Sequence, residues 1–571
     1  MGNTLLKVEG LKVNYFSENG KIEAIKEVSF NVKKGETIGI IGESGSGKTS
    51  IAMAITGLLE NNAEVKGKII YEGVNLLDLK EEEINNYRWN KIAIVFQNRL
   101  DVLNPVLTIK EQITEVIIRH NNLCKDEVYK KVRNLFESIG LSKDWLNRYP
   151  HELSGGMRQK VLIAMALACE PDLLIVDEPT SSLDADSRSE IINLLKGIQN
   201  SNRKFSMIVV SHDLTLIKEL TFKVLVLYSG HILEEGITRE VIKNPLHPYT
   251  RGLLNSSPEL NPYQDLWGIP ISLKEEKGKG CPFYQRCNQA RIECSEQVPK
   301  LKNLSLERKV ACNRGGILTI LEAKGICKKF TYKNRVIKAC DNCNIDIKSG
   351  EIVALVGQSG SGKTTLANII SGFSKADNGE VVFDGNKIEN FKEIRKLNGL
   401  QIIFQDPFSS INPNFTIEEA IREPLDILKI ETKDLRKEKV KKILTDVQLP
   451  VEQSFVKKKC MELSGGQRQR VAIARGLIME PKILIADEIC SMLDPSTKAN
   501  MLRLLKELQN KKGFSMLYIT HDLNIARKIS DRVFVMYNGN LVESGNAYEI
   551  FNKPKCNYTK KLIQKGFMKA L

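Results

Sequence analysis

The sequence has no apolar run long enough to cross a lipid bilayer. The longest run, VLIAMALA at residues 161–168, is soon followed by Glu170, Pro171 and Asp172, well short of the roughly 20 residues that a membrane-spanning helix needs. The opening residues, MGNTLLKVEG, contain neither a basic segment leading into an apolar one nor the Ser or Thr that a myristoylation signal requires. We therefore expect a chain without a transmembrane segment that stays in the cytosol.

The sequence also lacks a stripe of like charge. It carries 84 Lys and Arg against 69 Asp and Glu, a net charge of +15, but the basic residues are dispersed along the chain. A dispersed excess favours a solvated, lysine-rich surface over a nucleic-acid groove or a membrane-binding patch. We therefore expect no nucleic-acid partner.

The two halves of the sequence repeat one another. A chain of 571 residues exceeds one hydrophobic core, which predicts at least two domains. The repeated motifs are GIIGESGSGKTS at 39–50 and ALVGQSGSGKTT at 354–365, ELSGGMRQ at 152–159 and ELSGGQRQ at 462–469, and LLIVDE at 173–178 and ILIADE at 483–488. Each copy alternates β-branched apolar strands with amphipathic helices, so we predict a duplicated α/β domain with a largely parallel core sheet.

A glycine-rich turn follows the strand TIGIIG in the first copy and IVALVG in the second. Gly42, Gly45 and Gly47 let successive backbone N–H groups point at phosphate oxygens, at the positive end of the next helix. Lys48 supplies a positive charge for the β- and γ-phosphates, and Thr49 a hydroxyl for Mg²⁺. The second copy has the same residue types at Gly357, Gly360, Gly362, Lys363 and Thr364. We predict a nucleoside triphosphate site in each half.

Two adjacent carboxylates end a later strand in each copy. Asp177 and Asp487 are placed to bind Mg²⁺, while Glu178 and Glu488 are placed to polarise an attacking water. The alternative is an acidic pair that only caps the next turn. Because the pair recurs in both copies, hydrolysis is favoured over binding alone.

The LSGG segment that opens a helix in each copy has two interpretations. Ser154 and Ser464 are good N-caps for the helices that follow. A helix N-terminus that begins with glycines is also an anion site. A γ-phosphate bound by the other half would supply its ligand.

This ordered set of motifs, with DEPTSSLD and the histidines of SHDL and THDL, resembles the nucleotide-binding subunits of ATP-binding-cassette transporters over nearly the whole chain. The resemblance implies two P-loop ATP-binding-cassette domains, each with a RecA-like core, an antiparallel β subdomain and an α-helical subdomain. It also implies that the halves form an intramolecular cassette dimer, packed head to tail. Each phosphate loop would then face the LSGG segment of the other half.

The resemblance also assigns roles to single residues. The catalytic residues would be Glu178, Glu488, His212 and His521. The ATP-binding residues would be Tyr15, Gly42, Ser44, Gly45, Gly47, Lys48, Thr49, Ser50, Gln97, Ser154, Gly155, Gly156, Phe330, Gly357, Ser359, Gly360, Gly362, Lys363, Thr364, Thr365, Gln405, Ser464, Gly465 and Gly466. The Mg²⁺ ligands would be Thr49, Gln97, Asp177, Thr364, Gln405 and Asp487. Of these, Gln97 and Gln405 match the residue that couples the cassettes to a membrane partner.

Two parts of the pattern leave alternatives open. Tyr15 and Phe330 resemble the aromatics that stack on adenine, but each is also compatible with a plain core aromatic. The second copy has DEICSMLD where the family has DEPTSALD, and it retains Asp487, Glu488 and Asp494. This departure puts the rate of the second site in doubt rather than its competence.

The segment between the copies indicates one branch of that family. NPLHPYTRGLLNSSP at 244–258 and CPFYQRC at 281–287 resemble the C-terminal region of bacterial ATPases that import oligopeptides, dipeptides, nickel or metallophores. The partners would then be two integral-membrane permeases and an extracytoplasmic substrate-binding protein, with the chain at the cytoplasmic face of the membrane. The predicted domains are a first cassette at 1–241, this cysteine-containing linker region at 242–316, a second cassette at 317–550 and a short tail at 551–571.

A soluble tandem cassette ATPase acting on ribosomes or DNA is the alternative function. A ribosome-recycling protein would carry cysteine clusters before its first cassette, a translation factor a long charged linker, and a DNA-repair protein zinc modules inside its cassettes. The sequence shows none of these features. We therefore favour import, with the cargo left open among peptides, nickel and metal chelates.

Four cysteines between the copies predict a metal centre. Cys281, Cys287, Cys294 and Cys312 have the spacing C-x5-C-x6-C-x17-C. Disulfides are not expected in a cytosolic chain, and these wide spacings favour a 4Fe–4S cluster over Zn²⁺. Buried thiols without a metal are the alternative.

Overall fold

The structure, a computed structural model, forms two compact units. It describes residues 4–18, 20–96, 102–121, 123–181, 183–200, 205–260, 262, 269, 279–305, 307–332, 335–406, 411–491 and 493–568. The first unit comprises residues 1–260, 276–284 and 292–316, and the second comprises 261–275, 285–291 and 317–571. Each unit contains one copy of the repeated motifs.

A mixed eight-stranded sheet forms the centre of the first unit. Its strands in spatial order are Lys302–Ser305, Arg308–Val310, His231–Ile237, Lys223–Tyr228, Thr37–Ile41, Ser206–Val210, Leu173–Asp177 and Ile92–Val95. The last five of these run parallel. Every residue of Thr37–Ile41, Leu173–Asp177 and Ser206–Val210 is buried, as expected for parallel strands covered on both faces.

A smaller antiparallel sheet and a layer of helices complete the first unit. The sheet has the order Gly20–Lys33, Thr4–Ser17, Ala63–Tyr71 and Val74–Asn75. The helices are Lys48–Thr56, Glu81–Ile84, Ile109–His120, Lys125–Ser138, Gly155–Leu167, Ala185–Asn200, Leu214–Leu220, Thr238–Lys243, Pro248–Asn255 and Glu293–Glu296. Ile113 and Ile117 of helix Ile109–His120 share a separate core with Val132 and Phe136 of helix Lys125–Ser138, because their spacing puts them on one face of each helix.

The second unit repeats this arrangement. The strands of its central sheet have the spatial order Leu400–Ile403, Ile483–Asp487, Ser515–Thr520, Ile352–Val356, Arg532–Tyr537 and Asn540–Asn546. The strands of its antiparallel sheet have the order Arg335–Lys348, Thr319–Tyr332, Asn378–Phe383 and Asn386–Lys387. Its helices are Lys363–Ile370, Phe391–Ile394, Ile417–Ile427, Lys433–Asp446, Gln453–Val456, Gly465–Leu477, Pro495–Lys512, Leu523–Ile529, Ala547–Asn552 and Asn557–Met568. The predicted α/β class with a largely parallel core sheet is confirmed in both units.

Part of the region predicted as a linker extends the first sheet. Strand Arg308–Val310 pairs antiparallel with the edge strand His231–Ile237. The guanidinium of Arg308 is buried and donates to Oε1 of Glu234, which is fully buried, and to the Asn244 carbonyl at 2.6 Å. Glu234 also accepts the backbone N–H groups of Leu246 and His247, each at 2.9 Å. This carboxylate therefore ties the segment that follows the cassette to the central sheet.

No helix within the described ranges is both long and apolar enough to span a membrane.

The buried ion pair yields a stability prediction. Arg308→Met should lower the free energy of unfolding of the first unit by on the order of 3 kcal/mol, because it leaves the Glu234 carboxylate buried without its cation. Calorimetry of the full chain measures the shift of the corresponding transition. Lys302→Met, at an exposed position of the neighbouring strand, is the control. An unchanged transition in Arg308→Met would contradict the role given to Glu234.

Candidate nucleotide sites

The first phosphate loop lies between strand Thr37–Ile41 and helix Lys48–Thr56. Space requires glycine at two of its positions. A Cβ atom at Gly42 would lie 2.1 Å from the Leu227 carbonyl oxygen, and one at Gly47 would lie 2.5 Å from Cδ1 of Ile25. Gly47 also has φ 103°, a backbone conformation that L side chains rarely adopt. The loop is therefore held close to the neighbouring backbone.

Each phosphate loop encloses a buried lysine. Nζ of Lys48 donates to the carbonyls of Gly42 and Glu43, both at 2.9 Å. Nζ of Lys363 donates to the carbonyls of Gly357 and Gln358, also at 2.9 Å. Burial lowers the pKa of each lysine, and the carboxylates nearby oppose that effect. The ammonium groups therefore bond to backbone carbonyls in a setting where an anionic phosphate would stabilise their charge.

The aspartate at the end of each acidic strand has a carboxylate oxygen that fits a cation. Asp177 is buried and hydrogen-bonded to Thr49, and burial raises the pKa of its carboxyl group. Its Oδ1 has no hydrogen-bond partner among the described residues. Asp487 repeats this arrangement with Thr364. An orphaned buried carboxylate oxygen beside a hydroxyl fits Mg²⁺, which prefers hard oxygen ligands and would offset the cost of burial.

The glutamate after each of these aspartates points in a different direction from the aspartate, because the backbone turns at the glutamate. Glu178 has φ 50° and Glu488 has φ 46°, in a left-handed region that is costly for a residue other than glycine. His212 Nδ1 lies 2.7 Å from Glu178 Oε2, and the His212 backbone N–H donates to Oε1 at 3.1 Å. In the second unit, His521 Nδ1 lies 3.0 Å from Glu488 Oε1. The predicted catalytic pairs therefore come together in both units.

A cavity of about 580 Å³ connects these groups in the first unit. Its lining contains six of the residues predicted to bind ATP, namely Ser44, Gly45, Gly47, Lys48, Thr49 and Ser50. The predicted catalytic residues Glu178 and His212 also line it, together with Ala24. The Tyr15 hydroxyl donates to Oγ of Ser50 at 3.2 Å, so this half-buried aromatic lies beside the loop. Phe330, its counterpart, is 46 % exposed.

The LSGG segments lie on exposed helix ends. Oγ of Ser154 accepts from the Met157 N–H at 3.3 Å and caps helix Gly155–Leu167. Ser464 caps helix Gly465–Leu477 in the same way. Ser154 and Gly155 are exposed and do not line the cavity of their own unit. The N-cap interpretation is therefore confirmed, and the helix N-terminus remains open to an external anion.

The two glutamines predicted to bind Mg²⁺ are Gln97 and Gln405. Gln97 lies outside the described residues. Gln405 is exposed and follows strand Leu400–Ile403. The roles of both glutamines as Mg²⁺ ligands and coupling residues stay predictions.

The predicted centre of four cysteines is not found. The described residues contain no group of three or more His, Cys, Asp or Glu side chains arranged to hold a metal ion. Cys281, Cys294 and Cys312 lie in the first unit, whereas Cys287 belongs to the second. Burial raises the pKa of Cys281 to about 11, with a smaller contribution from Cys312 and Cys294. Cys281, Cys287 and Cys312 are partly buried and Cys294 is buried.

A polar network beside His212 was not predicted from the sequence. Thr180 Oγ1 donates to Asp213 Oδ2 at 3.2 Å, and Arg188 pairs with Asp213 and with Glu259. Asp213 also caps helix Leu214–Leu220. In the second unit Lys498 pairs with Asp522 at 2.8 Å. The Asp that follows each histidine in the sequence was the available signal.

Comparison with known proteins decides the family. The ABC transporter family matches residues 25–181 and 340–491, and the family described as oligopeptide/dipeptide transporter, C-terminal region, matches residues 233–294. The chain belongs to the ABC transporter family. It is an importer-type ATPase that uses ATP and Mg²⁺, with two cassettes in one chain. Nothing supports the ribosome or DNA alternative.

Two curated relatives match nearly the whole chain, and a solved cassette matches part of it. The chain is 35% identical over 578 residues to the glutathione import ATP-binding protein GsiA of Salmonella paratyphi A, covering 98% of this chain and 89% of that protein. It is 35% identical over 575 residues to GsiA of Escherichia coli K12, with the same coverage. A solved cassette, the dimeric bacterial ABC transporter cassette MJ0796, is 32% identical with a TM-score of 0.36, covering 40% of this chain and 99% of that one.

The glutamate–histidine pairs yield a catalytic prediction. Replacing Glu178 and Glu488 together by Gln should reduce ATP hydrolysis by roughly 100-fold or more, because an amide cannot accept the proton of the attacking water. ATP binding should persist, since the phosphate loops are unchanged. Phosphate release and equilibrium ATP binding are the two measurements. Glu190→Gln, at a side chain that is 61% exposed, is the control. Hydrolysis at the unmodified rate in the double variant would rule out these glutamates as bases.

Proposed function

We propose that this chain drives the import of short peptides of the size of glutathione, and that its two cassettes close head to tail around two ATP molecules. The match of residues 233–294 to the peptide-transporter C-terminal region is the observation that carries the peptide class. The glutathione import for which the GsiA relatives are named supports glutathione or a tripeptide of similar chemistry. Nickel and metallophores stay alternatives from the sequence, and no comparison favours them.

The solvent-exposed binding groups of each unit support the head-to-tail arrangement. In the first unit the phosphate loop, Glu178 and His212 line one cavity, and the His212 side chain is 62% exposed. The capped N-terminus at Ser154 faces solvent and carries the positive end of a helix dipole. Such an end stabilises an anion. A γ-phosphate held by Lys363 in the second half is the ligand that this proposal assigns to it.

Within each composite site the residues have distinct roles. The phosphate-loop N–H groups and Lys48 bind the β- and γ-phosphates, and Tyr15 stacks on adenine. Mg²⁺ held at Thr49 and Asp177 would neutralise charge on the transferred phosphoryl group. Glu178 accepts the proton of the attacking water, and His212 orients that carboxylate through the 2.7 Å contact with Oε2. Lys363, Thr364, Asp487, Glu488 and His521 do the same in the second site.

The proposed partners are two integral-membrane permeases and an extracytoplasmic substrate-binding protein. The chain would sit at the cytoplasmic face of the membrane, with Gln97 and Gln405 coupling hydrolysis to the permeases. We retain the divisions at 241, 316 and 550 as proposed domain boundaries. A 4Fe–4S cluster or Zn²⁺ at the four cysteines also stays a prediction. Iron, sulfide and zinc analysis after anaerobic purification tests it, and a metal-free, active protein would contradict it.

Pairing between halves predicts an asymmetric defect. Ser464→Arg should reduce nucleotide trapping at the site that contains Lys48 by roughly 100-fold, because it replaces a phosphate ligand by a bulky side chain. The site that contains Lys363 should be affected less. Vanadate trapping of a photoreactive ATP, mapped to each half after proteolysis, is the measurement. Ser154→Arg is the matched variant and should give the reciprocal pattern. Equal loss at both sites in either variant would contradict the pairing.

The cargo is tested with the whole transporter. The chain is reconstituted in proteoliposomes with its permeases and binding protein, and ATP hydrolysis is measured as candidate cargo is added outside. Glutathione and short peptides should stimulate hydrolysis, while Ni²⁺ alone should not. Stimulation by Ni²⁺ and not by peptides would overturn the proposed cargo without affecting the ATPase assignment.

A further inference from the structure

A tyrosine outside the cassette motifs contacts the first phosphate loop. Tyr249 lies on helix Pro248–Asn255, which follows the cassette and belongs to the segment PYTRGLL. Its side chain is fully buried, and its hydroxyl accepts the backbone N–H of Glu43 at 2.8 Å. Glu43 is part of the loop itself, one residue after Gly42. The contact therefore joins positions that are 206 residues apart.

Glu43 is hydrogen-bonded through both its backbone N–H and its backbone carbonyl. Its N–H donates to Tyr249, and its carbonyl accepts from Nζ of Lys48 at 2.9 Å. A bound phosphate would compete with this carbonyl for Nζ of Lys48. The hydroxyl of Tyr249 does not depend on Lys48, so it can keep the loop in shape in both states.

The cysteine-bearing segment holds the tyrosine ring. Phe283, from CPFYQRC, is 3% exposed, and its ring centroid lies 5.6 Å from that of Tyr249 and 5.4 Å from that of Tyr228. The Tyr228 and Tyr249 centroids are 4.6 Å apart. Edge-to-face and tilted contacts of this kind add to the area that the rings bury. Tyr249, Phe283 and the partly buried Tyr228 therefore form one aromatic cluster behind the phosphate loop.

A neutral histidine fixes the start of the same helix. His247 is buried, and its Nδ1 accepts the N–H of Tyr249 at 3.0 Å. Burial lowers the pKa of His247 to about 3, so the ring keeps this acceptor at neutral pH. The backbone N–H of His247 is bound by the buried Glu234 at 2.9 Å. The position of Tyr249 is therefore set by a chain of buried contacts.

The second unit has only part of this arrangement. Tyr558 in NYTKKLI corresponds to Tyr249, and its ring centroid lies 4.1 Å from that of Tyr537, the counterpart of Tyr228. Its hydroxyl lies near the amide of Gln358 but makes no hydrogen bond of ordinary geometry with a described residue. Among the described residues of the second unit, Tyr537 is the only one whose ring contacts that of Tyr558, so Phe283 has no described counterpart there.

We propose that Tyr249 is a positioning residue for the first phosphate loop, that Phe283 holds its ring in place, and that this support gives the first loop a higher affinity for ATP than the second. The cysteine-bearing segment then acts on nucleotide binding in one half of the chain. The proposal rests on the assignment of residues 42–48 as a phosphate loop and is independent of the cargo.

The test compares Tyr249→Phe with Tyr558→Phe in the full chain. A photoreactive ATP is titrated, and the label is counted in peptides of each half after proteolysis. Tyr249→Phe removes one hydroxyl and keeps the ring, so the half-saturating concentration of the first half should rise roughly two- to tenfold. Tyr558→Phe should leave both halves unchanged. At saturating ATP the turnover number of Tyr249→Phe should stay near that of the unmodified protein, with the change in KM. An unchanged first half, or an equal rise in both halves, would overturn the proposal.

Two further measurements separate positioning from general stability. In the unmodified, nucleotide-free protein, the Glu43 amide should exchange with deuterium more slowly than the Gln358 amide, and equal rates would overturn the proposal without any variant. Phe283→Leu keeps an apolar side chain but removes the ring, and it should raise the half-saturating ATP concentration of the first half alone. An unchanged affinity in Phe283→Leu would remove the cysteine-bearing segment from the proposal.

Discussion

Each half of this ATPase depends on one position in its phosphate loop where there is no space for a Cβ atom. A Cβ at Gly42 would lie 2.1 Å from the Leu227 carbonyl oxygen, and one at Gly357 would lie 2.2 Å from the Met536 carbonyl oxygen. The loop can approach the neighbouring strand only because both residues are glycine. That approach brings Lys48 and Lys363 under the loop, where each bonds to two of its carbonyls. The positive end of a helix and a buried ammonium group then lie at the same point, which is the basis of phosphate binding.

The two sites share this framework but differ in what surrounds it. Glu178 accepts from the side chain and the backbone of the segment that holds His212, and its side chain is 7% exposed, against 18% for Glu488. Thr180 links the acidic turn to Asp213, whereas Cys490 stands at its place in the second copy. Burial raises the pKa of Cys490 to about 11, so this thiol is a neutral, weak donor. The first glutamate is therefore more tightly held, in line with the doubt about the second site's rate that the sequence raised.

Much of each site was predictable because its chemistry lies in short, contiguous motifs. The phosphate loop and the acidic pair each take their geometry from a few consecutive residues at the end of a buried strand, so residue types and spacing were sufficient. The positive φ of Glu178 and Glu488 explains how adjacent carboxylates separate. Contacts between segments that are far apart in the sequence are not marked by any comparable motif. The pairing of Arg308–Val310 with the first sheet and the bond from Glu43 to Tyr249 depend on how the chain closes over long loops. The same limit applied to the cysteines, whose spacing suggested a ligand set that the fold of the described residues does not assemble.

The segment after each cassette is anchored differently in the two units. Glu234 binds the backbone N–H groups of Leu246 and His247, and Glu543 binds those of Lys555 and Cys556. This anchor is common to both units and brings a tyrosine to the back of each phosphate loop. In the first unit Arg308 also neutralises the anchoring carboxylate, and Phe283 covers the tyrosine. A carboxylate that is fully buried needs such a cation, whereas Glu543 is partly exposed and can be satisfied by water. Arg308 and Phe283 therefore make the first anchor drier and more rigid, which is the physical reason for expecting them to affect the first nucleotide site.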